Sequence, residues 1–230
     1  MTHAPTPGAP HAPTPGAPHA ATSGTPHVST SGTPHAATPG APEAPAPGAP
    51  HAATPGAPHA PGPTVRHATT ADLDAMVDLH SRARATYYRG RIPDALLDAP
   101  AERERWRAGW QRGLERPDAT VLCAERDGAI VGIASYRRED GAPADTVKLF
   151  QFHVDPDHWR AGIGTVLHRA CVADWQAAGT ATAHLEVYWH NQRARAFYTR
   201  HGWQPDTSRR PAPDATHLDL ILPLSPAAAR

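Results

Sequence analysis

The chain is poor in cysteine, with 2 in 230 residues, poor in aromatics at 6%, and without net charge, since 22 basic side chains stand against 22 acidic ones. Cys123 and Cys171 both lie in apolar stretches, and since disulfides are rare in cytosolic proteins they read as two buried thiols. The charge balance excludes the basic footprint of a nucleic-acid binder. Apolar runs such as Ala129 to Ala134 reach only about a third of a membrane span. A cationic start followed by an apolar stretch is also missing, so the expectation is a cytoplasmic protein with neither membrane nor nucleic-acid partner.

Proline is plentiful, and it is unevenly placed. Of 27 prolines, 17 lie in residues 1–63, a segment with no aromatic residue and one charge, Glu43. Residues 3–58 divide into seven octads of the form His-Ala-(Pro/Ala)-Thr-(Pro/Ser)-Gly-(Ala/Thr)-Pro, with Gly sixth and Pro eighth in every copy. A period of eight so rich in Pro fits neither helix nor strand and offers nothing apolar to bury. Residues 1–63 are therefore expected to be a disordered, partly polyproline tail. Six octads begin with His, which leaves a metal- or surface-binding tail as an alternative to a plain spacer. Single imidazoles eight residues apart lose much entropy on being gathered around an ion, and no metal is assigned. Residues 64–224, with all the aromatics, are expected to form one domain, and residues 225–230 a short C-terminal tail.

Within that domain Thr64 to Ala68 alternates as a strand. Thr69 to Asp72 offers a capping box to a helix whose Leu73, Met76, Val77 and His80 share a face. A second helix around 101–114 carries Trp106, Trp110 and Leu114 at spacing four, as packing residues. Residues 118–125, the turn Arg126-Asp127-Gly128 and residues 129–136 predict a hairpin. Next come a strand at 147–154, a helix at 162–178 stopped by Gly179, a strand at 184–189, a helix at 191–200, a short strand at 203–205 and a last strand at 217–222. The fold class is mixed α/β around one sheet.

The strand ending at Val154 leads through Asp155-Pro156-Asp157-His158-Trp159 into Arg160-Ala161-Gly162-Ile163-Gly164-Thr165 at a helix start. Glycines let the backbone approach a phosphate, and the first amides of a helix are free donors at the positive end of its dipole. The Rossmann pattern fails because its third Gly position is Leu167, and the Walker pattern is absent. Further along the chain stand Leu185-Glu186-Val187-Tyr188-Trp189-His190-Asn191, then Phe197-Tyr198 and Gly202-Trp203. Together these motifs resemble the GNAT acetyltransferase superfamily, in element order over residues 64–222 and in motif detail over about 147–205.

The resemblance implies a GNAT-like central mixed sheet flanked by helices, with acetyl-CoA as co-substrate. It implies that Arg160, Ala161, Gly162, Ile163, Gly164 and Thr165 hold the pyrophosphate, that Phe152, His153 and Val154 lie along the pantetheine arm, and that Asn191 contacts that arm. An amide near Val154 would polarise the thioester carbonyl. Tyr198 takes the family's acid position. Glu186 is the candidate base, as in members that acetylate ribosomal-protein N-termini, and Trp159 departs from the usual Gln or Arg. Strand parity adds that Gln151 and His153 share one face while His184, Glu186 and Tyr188 share another, a polar wall that makes His153 a second candidate base. Tyr87 and Tyr88 are candidates for its border. The implied function is acetyl transfer to a primary amine of a small molecule or a protein N-terminus. A silent acyl-CoA-binding sensor, a metal- or surface-binding tail and a homodimer are left open.

Overall fold

The computed structural model describes residues 62–209 and 215–225. The octad repeat of residues 3–58, with the disorder and the spacer or metal roles expected of it, lies outside the described residues, as do residues 226–230 of the expected C-terminal tail.

Strand β1 (Thr64–His67) leads through a 3-10 turn (Thr70–Asp72) into α1 (Leu73–Tyr88). The Asp72 carboxylate accepts from the Thr69 N–H at 2.7 Å and from its hydroxyl at 3.0 Å, and Arg66 of β1 clamps the same group at 2.8 and 2.9 Å. Thr69 and Asp72 thus form a capping box at the 3-10 turn that leads into α1. The short α2 (Asp94–Leu97) carries too little pattern to be read from sequence, and α3 (Pro100–Glu115) begins with Pro in its first turn. Strands β2 (Ala119–Arg126) and β3 (Ala129–Arg137) form the expected hairpin, whose Asp127 and Gly128 have φ of 51° and 76°, as a type I′ turn requires.

Strand β4 (Thr146–Val154) pairs antiparallel with β3, α4 (Ile163–Ala177) crosses over, and β5 (Thr182–Tyr188) lies parallel to β4. After α5 (Gln192–Arg200), the strands β6 (Gln204–Pro205) and β7 (His217–Pro223) complete a seven-stranded sheet in the order β1-β2-β3-β4-β5-β7-β6. This is the mixed α/β sheet flanked by helices that the sequence implies. Strand parity divides its core. Val121, Cys123 and Ile133 pack against Met76, Leu79, Ala83 and Trp110 of α1 and α3, while Leu122, Ala124 and Ala134 pack against Ile163, Leu167 and Cys171 of α4.

One departure from regular pairing positions the site. β4 and β5 are bonded only from Thr146↔Thr182 to Leu149↔Leu185, and beyond that they part. At the same point β4 bulges: Tyr136 pairs Leu149 and Ser135 pairs Gln151, so Phe150 has no partner. Residues 151–154 stay paired to β3 on one side, and among the described residues no strand pairs their other edge.

Candidate active site

Two clefts meet at the β4/β5 opening. The first, of about 250 Å³, lies between the end of β4, the loop into α4 and the face of α5. The second, of about 220 Å³, lies between α1, Trp106 of α3 and the parted ends of β4 and β5. Tyr87, Phe152, His153, Asn191 and Tyr198 border both.

The first cleft is largely made of backbone. Arg160 and Gly162 have φ of 64° and 81°, a conformation that costs a side-chain-bearing residue about 1 kcal/mol. The first bond of α4 runs from the Val166 N–H to the Gly162 carbonyl at 3.1 Å, and no side chain caps the helix. The N–H groups of Ile163, Gly164 and Thr165 therefore have no helical acceptor and make an anion site with the helix dipole. Gly164 has a second reason to be glycine, since a Cβ there would stand 3.2 Å from Cε2 of Phe197. Arg160, Gly162, Ile163, Gly164, Thr165, Phe152 and Val154 all line this cleft. Ala161 is outside its wall, and its N–H points to the His158 carbonyl at 3.4 Å.

Trp159 holds this loop. Its Nε1 donates to the Val154 carbonyl at 3.1 Å, and the Arg193 guanidinium of α5 lies 3.4 Å over its ring. Where Gln or Arg is usual, an indole thus pins the loop to β4 and steadies an arginine at the cleft wall, which Arg160 and Arg200 share. Asn191 caps α5, its Oδ1 accepting from the Ala194 N–H at 3.1 Å, and the residue lines both clefts. Tyr198 is 7% exposed and packs against Phe152 and Trp203. Among the described residues its hydroxyl has no hydrogen bond within the chain, and burial raises its phenol above the ordinary tyrosine range, so it keeps its proton at neutral pH.

The second cleft is made of side chains. His153 Nε2 lies 2.8 Å from Gln151 Oε1, and its ring stacks on His80 at 4.2 Å. Trp110 Nε1 donates to His80 Nδ1 at 3.1 Å, and Trp106 flanks the same imidazole at 4.3 Å. Burial, aided by the Arg84 charge, pulls His153 down to about 4, and burial lowers His80 as well, so both are neutral at pH 7. Glu186 accepts from Lys148 Nζ at 2.6 Å, and Lys148 also reaches Glu139 at 2.9 Å. Burial alone would raise the Glu186 carboxyl, but Lys148 overrides it and holds the group below the ordinary range. Tyr88 and Tyr188, with ring centroids 4.6 Å apart, close one side.

Gln151, His153, Glu186 and Tyr188 come together as strand parity suggests, but His184 does not join them. It sits opposite Lys148 in the still-bonded part of the sheet, beside Asp206 at 3.8 Å, because the strands part only after Leu185. Sequence reading misses Arg84, His80, Lys148 and Arg193 as site residues, and it takes Trp106 for packing alone. Their only sequence signal is a histidine on an apolar helix face. Among the described residues no group of three or more His, Cys, Asp or Glu is placed to hold a metal ion, and no helix is long and apolar enough to cross a membrane.

The sequence model of the Acetyltransferase (GNAT) family matches residues 76–203. The [ribosomal protein bS18]-alanine N-acetyltransferase of Escherichia coli K12 is 35% identical over 83 residues, 35% of this chain and 56% of that enzyme. An uncharacterized N-acetyltransferase of Mycobacterium tuberculosis is 32% identical over 98 residues, 42% of this chain and 60% of that protein. The chain thus spans little more than half the length of these relatives. In fold it is similar to the PaiA N-acetyltransferase of Thermoplasma acidophilum in complex with coenzyme A, with a TM-score of 0.62 and 16% identity over 70% of this chain and 99% of that one. It is also similar to the Escherichia coli ribosomal-protein-S18-alanine N-acetyltransferase, with a TM-score of 0.54 and 23% identity over 72% and 96%. With the family's sequence matched over more than half of the chain and its fold in place around the β4/β5 opening, this protein belongs to the GNAT family.

Proposed function

We propose that residues 64–224 form a domain that transfers acetyl from acetyl-CoA directly to a primary amine of a small molecule or a protein N-terminus, with both substrates bound at once. The observation that carries this reading is the junction of two unlike clefts at Tyr198, His153 and Asn191. Two free, buried cysteines, Cys123 and Cys171, fit a cytoplasmic setting.

The fit to acetyl-CoA rests on this chain's own geometry. The free amides of Ile163, Gly164 and Thr165 and the positive-φ turn at Gly162 suit a pyrophosphate, and the unpaired edge of residues 151–154 suits an extended amide-bearing arm. Bound there, acetyl-CoA supplies an activated acyl group as its thioester. An N–H near Val154 polarises the carbonyl, and the Asn191 amide orients the arm. Glu186, kept ionised by Lys148, adds negative charge to the second cleft, and the proton leaving the ammonium passes to Glu186 or to neutral His153, which borders both clefts. Tyr198 donates its proton to the departing sulfur. The Escherichia coli relative, named for the alanine of a ribosomal protein, supports an amine as the acceptor.

Release of CoA, followed against classes of primary amine, tests the reading: turnover with at least one class is expected, and none with any class overturns it. Tyr198→Phe should lower kcat about 100-fold with CoA affinity unchanged. A wild-type rate removes Tyr198 from the acid role.

A further inference from the structure

Among the described residues the Arg84 side chain, near the end of α1, makes no hydrogen bond. It is 15% exposed, and its Nη1 is buried with no partner among the described residues. The carboxylate nearest to it, Glu102, stands 3.8 Å from Nη2, beyond hydrogen-bond reach, and is itself bonded by Arg105 at 3.0 Å. Arg84 is held instead by aromatic faces, 4.6 Å over Tyr88 and 5.3 Å over Trp106. A guanidinium taken out of water is costly unless an anion meets it, and stacking fixes its plane without using its donors.

This group lines the second cleft, on the α1 wall. On the β5 wall of the same cleft is Glu186, a carboxylate whose Oε1 is bonded by Lys148 at 2.6 Å and whose second oxygen makes no other ion pair among the described residues. The aromatic rings of Tyr88, Trp106 and Tyr188 line it as well. A cleft with a guanidinium on one wall, a carboxylate on another and aromatic faces around them complements a zwitterion with a side chain. Its volume of about 220 Å³ lies below the usual range for drug-sized ligands and favours a small acceptor.

We infer that the second cleft takes an acceptor amine that bears its own carboxylate, a free α-amino acid, with the guanidinium of Arg84 as the carboxylate anchor. This rests on the second cleft being the acceptor side. The ammonium faces Glu186 and the β4/β5 opening, and the carboxylate meets the guanidinium on the side that Arg84 presents to the cleft.

The test is a binding measurement that needs no turnover, so it stands apart from the fate of the catalytic reading. N-acetylated amino acids, the products of the reaction, are titrated by calorimetry into the full-length protein saturated with CoA, each against its carboxamide. Acetylated dipeptide amides with Asp or Glu second serve as the peptide arm. At least one free acid should bind about tenfold or more tightly than its carboxamide. That preference should vanish in Arg84→Gln and persist, reduced, in Arg84→Lys. Equal binding of acid and amide by the wild type, or binding of none, overturns the anchor without any variant. So does a preference that survives Arg84→Gln, and tighter binding by the acidic dipeptides than by any free acid overturns the amino-acid assignment. If the anchor holds while Tyr198→Phe keeps the wild-type rate, only the acid role of Tyr198 falls.

Discussion

The two clefts are neighbours built from different materials. The first relies on backbone: amides at the start of α4, a turn with positive φ at Arg160 and Gly162, and the unpaired edge of β4. The second relies on side chains from α1, α3, β4 and β5, in which His80, His153, Arg84 and Glu186 are up to about a hundred residues apart. A backbone site can hold the same ligand across many sequences, provided the few glycines that shape it are kept, because nearly every residue supplies an N–H. A side-chain site can be retuned one residue at a time. The donor side thus suits the ligand common to a family, and the acceptor side suits what distinguishes one member.

The strongest way to break this division is Gly162→Glu. With φ at 81° the position strains any side chain, and a carboxylate beside the amide cradle repels an anion, so CoA affinity should fall by about 100-fold or more while a bound N-acetyl amino acid is little affected. Calorimetry with both ligands reads the split, and equal losses on both sides would dissolve it.

Acid gives a smaller effect. Backbone amides do not titrate, whereas burial holds His153 of the second cleft, and His168 beneath α5, down to about 4. An unfolded histidine titrates near 6.5, so between about 4 and 6.5 the unfolded chain binds more protons than the native one. Stability should therefore be full above about 6.5 and decline as pH falls through that window. For His168, which is 4% exposed, the loss from pH 7 to pH 5 should be on the order of 2 kcal/mol, read by denaturant melts. His168→Gln keeps an acceptor for Trp203 Nε1, now 2.9 Å from His168 Nε2, and should flatten the dependence. An unchanged slope would assign acid sensitivity elsewhere. The smallest effect is expected from Arg193→Ala, which removes the cation from the face of Trp159 at the donor side. CoA affinity should weaken about threefold, the scale of one exposed cation–π contact, and acceptor affinity should hold.

Much of this arrangement is legible in the amino-acid sequence. The hairpin is readable because Asp127-Gly128 has its own conformational preference, and α4 because Gly162 and the apolar spacing from Ile163 to Trp175 are local signals. Strand parity brings Gln151, His153, Glu186 and Tyr188 together, and fails for His184, because alternation says which face a residue takes but not where two strands part. Trp106 and Trp110 read as core from their spacing, and one of them, Trp110, fixes the tautomer of His80 through a bond across 30 residues. Arg84 is invisible for a different reason. One arginine in a helix is ordinary, and what sets it apart is a buried guanidinium nitrogen with no hydrogen-bond partner among the described residues, which emerges only once every neighbour is in place.

The sequence by itself determined what depends on a few adjacent residues: the order of strands and helices, the turns, and the glycine loop that presents free amides. These features arise from backbone sterics and from the period of apolar residues, which act within one element. Tertiary structure alone decided where β4 and β5 separate, which rings stack on His153, and which guanidinium is held by aromatic faces rather than by hydrogen bonds. Those outcomes depend on the packing of groups distant in sequence, where shape and burial settle every contact at once.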